Sequence, residues 1–328
     1  MQHFMPMPAY SGRKGSAELC LPQHIFGSNR VHNSCHFICP AHAMSPARLI
    51  FLTLTAMIAF AANSLLCRFA LRTTPIDAAS FAAIRLVSGA LMLWLIIALR
   101  SGASQRKAGG NWRSALALFV YAAAFSFAYA GLATGTGALL LFGAVQATML
   151  TAGWLGGDRL TLRQGGGFAL AVGGLVAIML PGLAAPPLGA AVLMLLAGIS
   201  WGVYSLYGRG VPDAVAATAG NFRRAAWLAL GLSVSMALLS ELRLDGAGVL
   251  YAVLSGAIAS GLGYVVWFAA IRGLSTTTAA TVQLSVPVIA AAGGIVFLHE
   301  PITLRLLLSS LAILGGIALV VLNKRQNN

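Results

Sequence analysis

Acid is what this sequence nearly does without. Seven Asp and Glu stand against 21 Lys and Arg in 328 residues, and only 9% of residues are charged. A soluble domain carries about a quarter charged residues, so a water-facing surface over most of the chain is excluded. Glu18, Asp77, Asp158, Asp213, Glu241, Asp245 and Glu300 all lie in the first segment or at the edges of apolar runs. A membrane-embedded enzyme would need clustered acids or histidines to activate a nucleophile or hold a metal. No run end carries such a cluster, so no catalytic residue, metal or cofactor is expected. Cysteine is sparse as well: Cys20, Cys35, Cys39 and Cys67 give no disulfide framework. No Gly-rich loop ends in Lys-Ser or Lys-Thr, which argues against a nucleotide-driven machine. The apolar runs are continuous and do not alternate with period two, which excludes a barrel of strands.

What remains is apolar. Mean hydropathy is +0.84, and the runs reach the roughly 20 residues a helix needs to cross the hydrocarbon core. The expected fold is an all-α integral membrane protein with ten transmembrane helices, at about 48–70, 78–99, 114–133, 136–155, 164–181, 187–207, 219–240, 247–270, 275–298 and 303–322. The net charge of +14 does not signal nucleic acid, because the basic residues sit between runs and not on one face. They report orientation. With the N-terminus in the cytoplasm, the inner connections hold Arg100, Arg106, Lys107 and Arg113, then Arg159 and Arg163, then Arg209, Arg223 and Arg224, then Arg272, Lys324 and Arg325. The outer ones hold Arg72, Arg243 and Arg305. Both ends are therefore expected inside, with 323–328 a cytoplasmic tail.

Residues 1–43 differ from the rest. They hold five of the six histidines and no apolar run long enough for a signal peptide core. His32, Cys35, His36, Cys39 and His42 are zinc-ligand types, but their spacing fits no standard finger. The segment reads as a disordered tail, or as sequence ahead of a start at Met44.

The chain also repeats itself. Gly273–Leu322 lies on Gly131–Leu180 without a gap at an offset of 142. Thr134 and Thr136 meet Thr276 and Thr278, and Asp158 meets Glu300. Thr161-Leu162-Arg163 meets Thr303-Leu304-Arg305, and Gly173-Gly174 meets Gly315-Gly316. More weakly, Ser64–Arg68 resembles Ser205–Arg209, and Arg85 resembles Arg224. Spans 1–5 (48–181) thus recur as spans 6–10 (187–322). Five is odd, so the second unit enters from the opposite side: an inverted repeat. Such units can exchange conformations and turn a cavity from one face to the other.

With ten spans, the five-plus-five duplication and the units Leu155-Gly-Gly-Asp158 and Phe297-Leu-His-Glu300, residues 48–322 resemble the drug/metabolite transporter superfamily, in its bacterial EamA branch. The family pattern has a proline in the fourth and ninth helices. Pro287 fits the ninth, whereas the fourth has Val145-Gln146. The resemblance implies a multi-pass protein of the bacterial cytoplasmic membrane. It implies a central cavity lined by helices 1–4 and 6–9, and export or exchange of small metabolites.

Polar side chains inside a span are expensive, and each requires a reason. Asn63, Arg85, Gln146 and Gln283 are candidates for substrate contact, or for bonds to a neighbouring helix. Arg85 can offer a charge to a carboxylate or phosphate, or snorkel to the interface. Trp201, Tyr204, Tyr264 and Trp267 can line a cavity for amphipathic metabolites such as amino acids, or mark interfaces. Asp158 with Arg163 and Glu300 with Arg305 can close alternate gates. In the other reading they belong to helix starts, with Thr161 and Thr303 as caps. With no mid-membrane acid, facilitated diffusion or exchange is expected ahead of proton coupling through His299-Glu300. The partners expected are a small-molecule substrate and membrane lipid, with a homodimer an open option. Lipid flipping by the same fold and a lipid-modifying membrane enzyme are the alternative functions.

Overall fold

The computed structural model describes residues 45–100, 109–155, 161–180, 185–208, 211–274, 279 and 282–323. These residues form helices α1 (Pro46–Thr73), α2 (Ala78–Arg100), α3 (Trp112–Gly131), α4 (Thr134–Leu155) and α5 (Leu162–Met179). After them come α6 (Leu188–Tyr207), α7 (Ala214–Leu239), α8 (Gly246–Ile271), α9 (Ser285–Leu298) and α10 (Leu304–Asn323). Helices α1 to α8 are long and apolar enough to cross a membrane, while α9 and α10 are shorter apolar helices. Residues 1–43, with their His and Cys cluster, lie outside the described residues, as do Asp158, Arg159, Arg209 and Thr276.

The helix starts follow from the sequence. The Ser45 hydroxyl accepts from Arg48 N and Asn111 Oδ1 from Ser114 N, each satisfying a donor that the first turn leaves open. Thr161 and Gln164 form a reciprocal capping box on α5, and Thr303 Oγ1 accepts from Leu306 N at the start of α10. Most described acids serve the same purpose. Asp77 accepts from Ser80 N, Asp213 from Val215 N and Ala216 N, and Asp245 from Ala247 N and Gly248 N. A carboxylate is stabilised there by the positive end of the helix dipole. The Asp213 cap also explains why α7 begins at Ala214, ahead of the expected 219. The Ala-rich first turn is a good helix former even though its hydropathy is low.

Within the ninth expected span, 275–298, the helix is interrupted: Ala279, Val282 and Gln283 are helical, Leu284 is a turn, and the helix resumes over Ser285–Leu298. Pro287 is the cause. It has no N–H, and its ring collides with the carbonyl of residue i−4, so it sits well only in a first turn. Ser285 Oγ donates to the Val282 carbonyl at 2.6 Å, re-satisfying an acceptor that the break exposes.

Helix pairing places the core. Helix α5 lies along α10, α2 along α7 and α4 along α9. Helix α6 packs on α3 and α4, while α1 packs on α8 and α9. The α5–α10 seam is close because of glycine. A Cβ on Gly174 would press on Ala312 and Ile313, and one on Gly316 would overlap Ala171 and the Gly167 carbonyl. The neighbouring Gly173 and Gly315 face open space. On the outside, Leu304, Leu307, Leu308 and Leu311 of α10 form an exposed i, i+3, i+4, i+7 stripe, a face suited to lipid. Cys67 of α1 is fully buried.

Candidate functional site

Four helices meet in one buried ring of hydrogen bonds. Asn63 of α1 donates from Nδ2 to Tyr121 Oη of α3 at 3.4 Å. Its Oδ1 accepts from Ser255 Oγ at 2.6 Å and Ser260 Oγ at 3.5 Å, both on α8. Arg85 of α2 closes the ring: Nη2 donates to Tyr121 Oη at 3.0 Å and Nε to Ser260 Oγ at 3.3 Å. The guanidinium carbon also lies 4.8 Å from the Phe125 ring centroid and 5.1 Å from that of Tyr121. Arg85 is only 1% exposed, and its Nη1 has no hydrogen-bond partner among the described residues.

Local backbone geometry makes the ring possible. Residues five apart on an α-helix point about 140° away from each other. Across Leu254–Leu262, however, α8 is π-helical, and i→i+5 bonding turns Ser255 and Ser260 to one side. Between them Gly256 lets α8 touch α2, since a Cβ there would overlap the Arg85 carbonyl and the Ser88 hydroxyl. Only glycine permits that approach.

An aromatic cluster borders the ring. Trp201 of α6 lies 4.9 Å from Tyr121 and 5.0 Å from Tyr264 between ring centroids. Phe60 of α1 stands edge-on to Tyr264 and Trp267, each at 5.9 Å. Phe60, Asn63, Ser64, Tyr121, Trp201 and Tyr264 line a cavity with room for about one or two water molecules. Trp267 and Tyr204 back this lining, Tyr204 packing on Trp201 at 5.5 Å. Gln146 is buried in α4, and Gln283 is half-buried in the helical residues before the turn at Leu284; neither lines the cavity, and Arg85 borders it through Tyr121.

A second polar cluster lies where α3 turns into α4. Glu300, just past the end of α9, forms an ion pair with Arg68 Nε at 3.3 Å, and its Oε2 accepts from Thr134 N at 2.8 Å. Arg68 also donates to the Tyr129 carbonyl at 2.9 Å and that of Ala130 at 3.2 Å. Arg72 donates to the Leu298 carbonyl at 2.8 Å. Glu300 therefore joins α1, α3, α4 and α9 at one end of the bundle. Its ion-pair partner is Arg68, not the expected Arg305, which donates to the Leu180 carbonyl. The helix start it caps is that of α4, not that of α10. Arg163 is exposed at the start of α5, and its expected partner Asp158 lies outside the described residues.

Over residues 188–322, which span α6 to α10, the chain matches the model of the EamA-like transporter family. An uncharacterised protein of Pseudomonas aeruginosa is 57% identical over 278 residues, covering 85% of this chain and 96% of that protein. The chain belongs to the EamA-like transporter family. A solved crystal structure with 18% identity superposes with a TM-score of 0.60, covering 86% of this chain and 99% of that one. At that identity the likeness is one of fold.

In an EamA-like membrane protein the two clusters have distinct chemistry. The ring is a set of neutral donors and acceptors around one fixed cation, beside π faces, and it suits recognition. The Glu300 cluster is an electrostatic clasp between helix ends. Sequence reasoning missed Tyr121, Ser255, Ser260 and Arg68. Tyr121 is a polar tip well inside a span, which is the signal that singled out Asn63. The serines gave no signal, because an isolated Ser in a helix commonly bonds its own i−4 carbonyl, as Ser205 does to Trp201.

Proposed function

We propose that the chain is a secondary carrier that moves small polar or amphipathic metabolites by alternating access. In this reading all ten helices span the bacterial cytoplasmic membrane with both ends inside, and α1–α5 and α6–α10 are inverted repeats. The observation that carries it is the pairing of helices. Exchange each helix n with n+5, and α3·α6 becomes α1·α8, α4·α6 becomes α1·α9, and α2·α8 becomes α3·α7, all of which are packed pairs. The pairs α2·α7, α4·α9 and α5·α10 become themselves. A pseudo-twofold of this kind lets two halves trade conformations around a site between them. The ring joins Asn63, Arg85 and Tyr121 of one half to Ser255 and Ser260 of the other, so it sits where such an exchange would act.

Substrate contact is assigned to Asn63, Trp201 and Tyr264, which line the cavity, and to Arg85, which stands behind Tyr121, with Tyr204 and Trp267 as their support. Gln146 and Gln283 join them when the helices move apart. Glu300 and Arg68 close one face. Every described carboxylate except the exposed Glu241 serves a helix start, so the reading is export or exchange without a buried proton relay.

The test is flux in proteoliposomes of a labelled metabolite panel, with and without an imposed pH gradient, for the native chain and Arg85→Ala. Saturable flux at equal rate in both conditions, lost in the variant, is the expected outcome. Accumulation that follows the pH gradient would overturn the uncoupled mechanism. Lipid scrambling without metabolite flux would replace the carrier reading with lipid flipping.

A further inference from the structure

Among the described residues, Arg85 is a buried cation without an anion. A guanidinium in a protein keeps its charge, and an unpaired charge inside a span is expensive. Its neighbours here are all neutral: two hydroxyls and two aromatic faces. The described acids are occupied elsewhere. Asp77, Asp213, Asp245 and Glu300 bind backbone N–H groups at helix starts, Glu300 also holds Arg68, and Glu241 is exposed. Two of the guanidinium's nitrogens are held by Tyr121 and Ser260, which fixes the group, while Nη1 has no hydrogen-bond partner among the described residues. An unpaired donor on a charged group costs more than a neutral one. Tyr121 belongs both to this arrangement and to the wall of the aromatic cavity.

Resting on the carrier reading above, we propose that the transported molecule brings the missing charge. The substrate class is a small organic monocarboxylate with a planar apolar body. The carboxylate pairs with Arg85, a charge-assisted bond stronger than any neutral one, and the body lies among Phe60, Tyr121, Trp201 and Tyr264. The cavity holds only water-sized contents in this conformation, so entry displaces Trp201, which is half-buried at the cluster's edge. The same inventory selects against amino acids. A zwitterion adds an ammonium, no described carboxylate faces the cavity, and Asn63 Oδ1 already accepts from Ser255 and Ser260.

The experiment is a charge series of one shape on the purified full-length protein. 3-Phenylpropionate, 3-phenylpropanamide, phenethylamine and L-phenylalanine are titrated against tryptophan fluorescence, and each is then offered as labelled substrate in proteoliposomes. The acid is expected to bind at least about tenfold tighter than the amide, the amine or the amino acid. Arg85→Gln abolishes that preference and Arg85→Lys keeps part of it. The native series stands alone if a variant fails to fold. Equal or tighter binding of the amide, amine or amino acid overturns the proposal, and so does no binding of any member at millimolar concentration. Saturable flux of the amine or amide with no preference for the acid leaves a carrier without the anion site. Arg85-dependent binding of an acid that never crosses leaves the anion site and sinks the carrier.

Discussion

At the scale of single residues, two contacts carry sharp expectations. Glu300 is 8% exposed and Arg68 15%, so their pair is shielded from solvent screening. Glu300→Gln removes a charge-assisted partner from Arg68, which keeps the Tyr129 and Ala130 carbonyls, and weakens the cap on α4. The expected loss is about 1–3 kcal/mol, read as a fall in thermal midpoint. A double-mutant cycle with Arg68→Ala should return a coupling of at least about 0.5 kcal/mol; additive effects would mean the pair is incidental. Gly256→Ala has no room against Arg85 and Ser88, so α2 and α8 must part, at a cost of about 1–3 kcal/mol. Unchanged stability of that variant would refute the close approach. The site was half legible from sequence, and the reason lies in individual side chains. Asn63 and Arg85 announce themselves by the expense of polarity inside a span. Ser255 and Ser260 matter only because a π-helical segment turns them to one side, and nothing in the residue types signals that widening. The Glu300–Arg305 pair was one of two readings of the repeated acid and Thr-Leu-Arg units, whereas Arg68 reaches Glu300 from a helix 232 positions away.

At the scale of elements, the α5–α10 seam offers an internal control. Gly174→Leu and Gly316→Leu should lower thermal stability, while Gly173→Leu and Gly315→Leu should not, because the first two face the partner helix and the last two face open space. Equal effects from all four would place the seam elsewhere. Pro287 allows a second test. Pro287→Ala restores an N–H and removes the clash with the preceding turn, so α9 can continue back through Leu284. Amide exchange across 284–288 should slow, and unchanged exchange would mean the break has another cause. The helices were largely readable from sequence, because unbroken apolar runs bounded by caps leave little freedom. The start of α7 was set by a cap and not by hydropathy, and the ninth span is interrupted at Leu284 by one proline, which hydropathy does not register.

At the scale of the whole molecule, the internal sequence repeat was visible because its polar residues kept register, and the largest helix pairings are consistent with the exchange proposed above. If the proposed topology holds, reporters inserted at Leu242 and Ile302 should lie on the outer face and one at Gly110 on the inner face; any of the three on the wrong side would break it. In the proposed alternating access, the Glu300 clasp opens and closes. Cys67, fully buried on α1, lies one turn past Asn63 and next to Arg68. With Cys20, Cys35 and Cys39 changed to Ser, its thiol becomes a stopwatch. A maleimide can reach it only while α1 is lifted from its neighbours, so the alkylation rate counts openings per unit time. That rate should be slow in the native chain and faster in Glu300→Gln; equal rates would free the clasp from any part in timing. If the proposed mechanism holds, the chain carries, between its ring and its clasp, a native gauge of how often its halves part.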